Sequence, residues 1–240
     1  MPPPRRSNRA YRVLARVVRP ILFATTRPQW SGGEHLPTDR GFIAVANHVT
    51  TADPLTFAHF LYDHGVVPRI LAKASLFRVP VLRRVLRATG QIPVHRATAE
   101  AGSSLRAAVE AIEAGECVSI FPEGTLTREP NMWPMAGKTG VARLALTTQA
   151  PVIPVAQWGA HRLLARYGRV IKPIPRKPVT VVAGPPVDLS DLYGRPQDAV
   201  VLREATERVM AAITELLEEI RGESAPEQRF VYRRSEEGRR

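Results

Sequence analysis

The feature that most constrains the fold is a short apolar run that passes directly through a turn into a helix. Residues 41–46 have the length and composition of a buried strand, and residues 54–61 begin with proline and continue as a helix start. Residues 116–121 repeat the buried-strand pattern and end in a turn at 122–125. This alternation predicts an α/β fold, with a mixed, mostly parallel central sheet flanked by helices.

The length and composition predict one domain with charged ends. A chain of 240 residues that is 44% apolar can form one ordinary core. We predict a basic amphipathic N-terminal segment at 1–33, a folded domain at 34–221 and a mobile charged tail at 222–240. The single cysteine, Cys117, lies in an apolar run, which predicts a buried, unreactive thiol and no intrachain disulfide.

The positive charge is concentrated at the N-terminus. The chain has 34 Lys and Arg against 22 Asp and Glu, and the first 33 residues contain seven arginines and no acid. Arg9, Arg12, Arg16 and Arg19 have helical spacing, and on a helical wheel they face away from an apolar stripe. That stripe is Tyr11, Leu14, Val18, Ile21 and Leu22. Such a helix either lies in an anionic membrane surface or packs its stripe on the domain, and the pattern leaves both interpretations open.

A histidine and a carboxylate lie five residues apart in the turn that follows the first strand. On one continuous helix, His48 and Asp53 would point in different directions, whereas a turn lets the two side chains meet. Asp53 could then accept the imidazole N–H and leave the other ring nitrogen free as a base. The alternatives are an N-cap aspartate before Pro54 and a solvated turn histidine.

These stretches resemble the glycerophospholipid acyltransferase family, of the lysophosphatidic acid acyltransferase type. The resemblance rests on four ordered blocks: N-H-V-T-T-A-D at 47–53, G-Q-I-P-V-H-R at 90–96, F-P-E-G-T at 121–125 and V-I-P-V at 152–155. The third block of the family usually ends in arginine, where this chain has Leu126 and then Arg128. The resemblance makes 34–221 an acyltransferase domain and His48 with Asp53 its catalytic pair.

The resemblance also implies residues that bind the acceptor. Arg96 is our first choice for the acceptor phosphate, because a guanidinium matches phosphoryl oxygens. Glu123 is expected to hydrogen-bond a glycerol hydroxyl, or instead to accept loop N–H groups. The remaining predicted contacts to phosphate or glycerol oxygens are Gly124, Thr125, Arg128 and Lys138.

The expected reaction moves a fatty acyl group from an acyl thioester to a glycerophospholipid precursor, most plausibly 1-acylglycerol-3-phosphate. The donor would be acyl-CoA or an acyl-carrier protein, with no cofactor and no metal. We expect a peripheral protein on the cytoplasmic face of the cell membrane, attached through its N-terminal segment, with no nucleic-acid partner. Two alternatives remain: another lysolipid, glycerol-3-phosphate or a glycolipid as acceptor, and a non-catalytic basic protein that binds nucleic acid or anionic membrane.

Overall fold

Seven strands form one sheet in the computed structural model, which describes residues 8–94 and 101–232. The strands are β1 (Thr26–Ser31), β2 (Phe42–Ala46), β3 (Pro68–Lys73), β4 (Ile92–Val94), β5 (Cys117–Ile120), β6 (Val152–Trp158) and β7 (Lys177–Ala183). Their order across the sheet is β1-β7-β6-β2-β5-β3-β4, and every neighbouring pair is parallel except β6 with β7. The predicted α/β class and mostly parallel sheet are therefore confirmed.

Helices cover both faces of this sheet. They are α1 (Arg9–Thr25), α2 (Asp53–Asp63), α3 (Pro80–Ala88), α4 (Ala101–Glu113), α5 (Gly140–Thr148), α6 (Ala160–Leu163) and α7 (Ala199–Arg221). One face of the sheet packs on the apolar sides of α4, α5 and α7, and the other face packs on α2. The central strands β2, β5 and β6 are buried on both faces, which explains why their sequences are continuous apolar runs rather than alternating ones.

The parallel strands β2, β3, β5 and β6 end at one edge of the sheet, which we call the His48 edge. His48 follows β2, the 121–125 turn follows β5, and residues 159–176 follow β6. Ligands of open α/β sheets bind at the carboxyl ends of the strands, so this is the edge where a site is expected.

Contacts within the fold continue on both sides of the predicted domain bounds, 34 and 221. Residues 26–31, which the sequence assigned to the N-terminal segment, form β1 and pair in parallel with β7. The part of the predicted mobile tail that is described, residues 222–232, packs on the domain: the Phe230 carbonyl accepts the Ala136 N–H at 2.9 Å, and Arg229 lies 3.6 Å from Glu207. Residues on both sides of 34–221 therefore pack on the same sheet and helices, and the division into segments stays a prediction.

Helix α1 packs on the domain through one face and exposes apolar residues on another. Of the predicted apolar stripe, Tyr11 and Leu22 are buried, whereas Ile21 is exposed together with Val13 and Val17. The inward face is tied to α2 by an ion pair between Arg19 and Asp63 at 2.6 Å. Among the described residues, no helix has both the length and the apolar content that crossing a bilayer requires.

Candidate active site

His48 and Asp53 meet as the sequence predicts. The strand β2 ends at Ala46, and α2 begins at Asp53 with Pro54 in its first turn, so the intervening residues fold back into a tight turn. His48 Nδ1 lies 3.1 Å from Asp53 Oδ2, and the imidazole side chain is 16% exposed. Because Nδ1–H donates to the carboxylate, Nε2 is left as the basic nitrogen.

The Asp53 carboxylate is held by the turn itself. Its Oδ2 atom also accepts the backbone N–H groups of Val49 at 2.5 Å and Thr50 at 2.7 Å. Asp53 is buried, and three N–H donors therefore converge on one oxygen. This arrangement fixes the direction from which His48 is held.

The turn after β5 holds the backbone of His48 from the other side. Glu123 Oε1 accepts the His48 N–H at 3.0 Å, and the His48 carbonyl accepts the Thr127 N–H at 2.7 Å. The Phe121 ring stacks on the imidazole, with centroids 4.2 Å apart and planes inclined by 25°. The two family-like blocks thus form one site, in which the second block positions the histidine of the first.

Glu123 is buried, and its carboxylate accepts backbone N–H groups, as in the second of the two roles that the sequence left open. Its second oxygen, Oε2, accepts the Met135 N–H at 3.0 Å. Burial raises the pKa of Glu123 to about 8, against the opposing effect of the two backbone donors. Each carboxyl oxygen accepts one backbone N–H, so this side chain contributes to the position of His48, and its contact with the acceptor stays a prediction.

The raised pKa of Glu123 predicts a pH-dependent stability. The folded state holds this proton up to about pH 8 and the unfolded chain releases it near pH 4.5, so the folded state binds more protons in between. The free energy of unfolding should therefore fall as pH rises through this window. In Glu123→Gln, which cannot ionise, this fall of a few kcal/mol should be absent. Urea unfolding of both proteins across the window measures the difference, and parallel pH profiles would contradict the assignment.

Of the cationic residues predicted to bind phosphate, Lys138 lies beside the turn that follows β5. Lys138 is exposed beside Gly124: its Cγ atom is 3.6 Å from the position that a β-carbon on Gly124 would occupy, and its N–H donates to the Pro122 carbonyl at 2.8 Å. Gly124 has φ 72°, a backbone conformation that favours glycine, and Thr125 follows it on the same turn. Arg96 lies outside the described residues.

Arg128 faces the outer side of the same turn. Its guanidinium carbon is 5.1 Å from the Tyr167 ring centroid and 5.2 Å from that of Tyr232. The two aromatic rings hold this cation in place by cation–π contact. Arg128 therefore lies next to the loop that follows α6, which contains Tyr167.

A buried polar cluster that the sequence interpretation missed ties β2 to β6 beside His48. The Asn47 amide donates to the Gln157 carbonyl at 3.0 Å and its Oδ1 accepts the Gln157 N–H at 2.8 Å. The Gln157 side chain bonds the Asn47 carbonyl at 3.1 Å and accepts the Thr56 hydroxyl at 2.9 Å. The available signal was a glutamine that ends the otherwise apolar run at 152–157.

This geometry agrees with the comparison with known families. A family model described as Acyltransferase matches residues 27–158, the part of the chain that contains His48, Asp53 and Glu123. Because this match covers more than half of the chain, the chain belongs to the acyltransferase family.

Several relatives that it resembles share one name. The chain is 30% identical over 137 residues to the 1-acyl-sn-glycerol-3-phosphate acyltransferase of Borreliella burgdorferi, covering 57% of this chain and 53% of that protein. It is 28% identical over 149 residues to the protein of that name from Bacillus subtilis, covering 62% and 71%. The match thus spans about half the length of the first of these relatives.

A solved structure has the same fold. The crystal structure of the 1-acyl-sn-glycerophosphate (LPA) acyltransferase PlsC from Thermotoga maritima superposes with a TM-score of 0.62 and 24% identity. The superposition covers 91% of this chain and 88% of that one. The α/β architecture is therefore shared.

Proposed function

We propose that this protein is a 1-acyl-sn-glycerol-3-phosphate O-acyltransferase, which transfers a fatty acyl group from an acyl thioester to the free hydroxyl of the lysolipid and forms phosphatidic acid. The observation that carries the proposal is the 3.1 Å contact between His48 Nδ1 and Asp53 Oδ2, in a family whose named relatives act on this acceptor. The donor is acyl-CoA or an acyl-carrier protein.

In the proposed reaction His48 is the general base. Its Nε2 atom removes the proton from the acceptor hydroxyl while Asp53 holds the ring and balances the charge of the imidazolium that forms. The hydroxyl oxygen attacks the thioester carbonyl carbon, and the C–O bond forms as the C–S bond breaks. The departing thiolate then takes the proton from the imidazolium, so that His48 returns to its starting state.

The acceptor phosphate is proposed to bind beside the turn after β5. Lys138 is exposed there, and Gly124 and Thr125 present N–H and hydroxyl donors at the same place. Arg96 remains the proposed second cation, and Arg128 lies next to the loop that follows α6. Fixing the phosphate at a set distance from His48 brings the hydroxyl to the base, and positioning of this kind contributes several kcal/mol to catalysis.

A turnover panel tests the proposal directly. The purified chain is incubated with an acyl-CoA and, in separate reactions, with lysophosphatidic acid, glycerol-3-phosphate and other lysophospholipids. We expect phosphatidic acid from lysophosphatidic acid as the preferred product. Absence of acyl transfer from either an acyl-CoA or an acyl-carrier protein donor, together with salt-dependent DNA affinity, would instead favour the non-catalytic basic protein.

One observation favours a second acceptor. Leu126 occupies the position at which the third block of the family usually has arginine, so the phosphate contact expected from that block is absent here. The same chemistry on a lysolipid or glycolipid with a different head group is the alternative function. A higher kcat/KM for such an acceptor than for lysophosphatidic acid would select it.

Lys138 provides a test of the proposed phosphate site. Lys138→Met keeps the aliphatic stem and removes the charge, so KM for lysophosphatidic acid should rise about tenfold with little change in kcat. Arg143→Met, which removes an exposed cation from the following helix, is the matched control. Equal KM values in the two variants would remove Lys138 from the site.

The proposed location is the cytoplasmic face of the cell membrane, with the protein attached peripherally. The exposed apolar residues of α1, among its arginines and with no acid in the helix, support attachment through this segment.

A further inference from the structure

The loop between α6 and β7, residues 164–176, exposes an unusual combination of side chains. Ile174 is 87% exposed, Val170 72% and Ile171 60%. Interleaved with them are four cations, Arg166, Arg169, Lys172 and Arg176, and the loop contains no acidic residue. We call this segment the basic loop. Apolar residues with this degree of exposure have no packing role in the monomer.

The basic loop has a defined conformation. Leu164 and Ile171 form an antiparallel bridge, and the Lys172 N–H donates to the Leu163 carbonyl at 2.8 Å. Arg166 Nη1 donates to the Glu129 carbonyl at 2.5 Å, and the Tyr167 hydroxyl donates to the Thr127 carbonyl at 3.1 Å. The base of the loop is therefore fixed, while the side chains of Val170 and Ile174 remain exposed.

The loop is also bonded directly to the catalytic turn. The Thr50 hydroxyl, between His48 and Asp53 in sequence, donates to the Leu164 carbonyl at 2.6 Å. At its other end, Arg176 donates to the Thr26 carbonyl at 2.8 Å, where α1 ends and β1 begins. The loop thus spans the distance between the His48 edge and the end of the N-terminal helix.

Other exposed apolar residues lie at the same edge. Leu76 and Val79 follow β3, whose carboxyl end is at the His48 edge, and Tyr232 packs beside the turn after β5. Val200, by contrast, lies in the first turn of α7, which begins near the opposite edge: Gln197 bonds Thr147 just before β6. Exposed apolar residues thus follow more than one strand at the His48 edge.

We propose that the basic loop inserts its apolar side chains into an anionic phospholipid bilayer and so forms a second membrane contact, which together with α1 turns the His48 edge toward the lipid. An anionic surface fits the basic loop, because none of its four cations forms an ion pair with a carboxylate among the described residues. Exposed aliphatic side chains flanked by cations that no carboxylate neutralises suit the boundary between acyl chains and anionic headgroups. The inference deepens the proposed function, since a lipid acceptor must enter from that boundary.

Vesicle binding by the full chain tests the inference. Flotation is measured with phosphatidylcholine vesicles and with vesicles that also contain phosphatidylglycerol. For Val170→Ser/Ile174→Ser we expect affinity for the mixed vesicles to fall about tenfold or more, because two aliphatic side chains no longer enter the acyl region. For Arg169→Gln/Lys172→Gln we expect a weaker preference for anionic vesicles and a smaller dependence on salt. Val200→Ser, at the opposite edge, should bind as the wild type does.

A labelling experiment tests insertion itself. Burial raises the pKa of the Cys117 thiol to about 12, so a cysteine placed on the loop is the one that reacts with a thiol probe. An environment-sensitive fluorophore on Ile174→Cys should shift to shorter wavelength on anionic vesicles, whereas the same fluorophore on Val200→Cys should not. Equal spectra at the two sites would overturn the proposal.

Two further outcomes separate the possible failures. Loop variants should keep wild-type turnover on a dispersed short-chain lysolipid. If the wild type itself shows no turnover there, the proposed function is wrong. The vesicle experiment still tests membrane insertion of the basic loop in that case. If the loop variants bind vesicles normally but lose affinity for an acidic acyl-carrier protein, the surface docks a protein donor and the membrane assignment is wrong.

Discussion

Replacing His48 with alanine is expected to lower kcat for acyl transfer by about a thousandfold or more, because the base that removes the hydroxyl proton is lost. KM for the acceptor should change little, because His48 is not one of the predicted phosphate contacts. Its ring contacts Asp53 and Phe121 instead. Steady-state kinetics with an acyl-CoA and lysophosphatidic acid measure both quantities.

Two controls make the His48 result specific. His35→Ala removes a half-buried histidine from a short 3₁₀ turn and should leave kcat unchanged. In His48→Ala, added imidazole can occupy the space beside the Phe121 ring, and recovery of part of the rate would show that a base is what the variant lacks. A kcat within tenfold of the wild type would remove His48 from the proposed mechanism.

Asp53→Asn should be the second most damaging change. An amide can still accept from one or two of the N–H groups of His48, Val49 and Thr50, but it carries no charge to balance the imidazolium. We expect kcat to fall by about a hundred- to ten-thousandfold. The free energy of unfolding should fall by about 1–3 kcal/mol, because a buried amide replaces a carboxylate that accepts three hydrogen bonds.

The matched control for Asp53 lies on the same helix. Asp63→Asn weakens the contacts with Arg19 and with the Trp30 indole N–H, so it should lower stability while kcat is retained. Urea unfolding and steady-state kinetics on both variants separate the structural loss from the catalytic one. Equal effects of the two substitutions on kcat would mean that Asp53 serves the fold alone.

The strands that carry the candidate site were predictable, because a strand that is buried on both faces has a continuous apolar sequence. The apolar runs at 42–46, 117–120 and 152–158 leave a buried strand as the natural interpretation, and Pro54 predicts where α2 begins. The meeting of His48 with Asp53 followed from a turn between two such elements. Glu123 was assigned two possible roles, because burial of both carboxyl oxygens against backbone has no signature in sequence.

The edges of the domain were less predictable, for a physical reason. Strand β1 contains Pro28 and polar residues, since an edge strand buries little side-chain surface, and it therefore lacked the apolar run that reveals a central strand. The inward side of α1 was left open because a helix with apolar residues on more than one side has no unique inward face from periodicity alone, and the structure exposes Ile21. Hydrogen bonds such as Thr50 with Leu164 join residues over a hundred positions apart and leave no local pattern.

The carboxylate of Asp63 joins three segments of the chain: Arg19 from α1 at 2.6 Å, Trp30 from β1 at 3.1 Å and His59 from its own helix at 3.3 Å. Helix α1 therefore shares this carboxylate with β1 and α2, the helix that begins at Asp53. A truncated protein that starts at β1 would retain every proposed catalytic group and yet leave this carboxylate without its guanidinium partner. Loss of activity in such a truncated protein would reflect the lost contact between α1 and α2, and it would not by itself show that α1 is a targeting sequence.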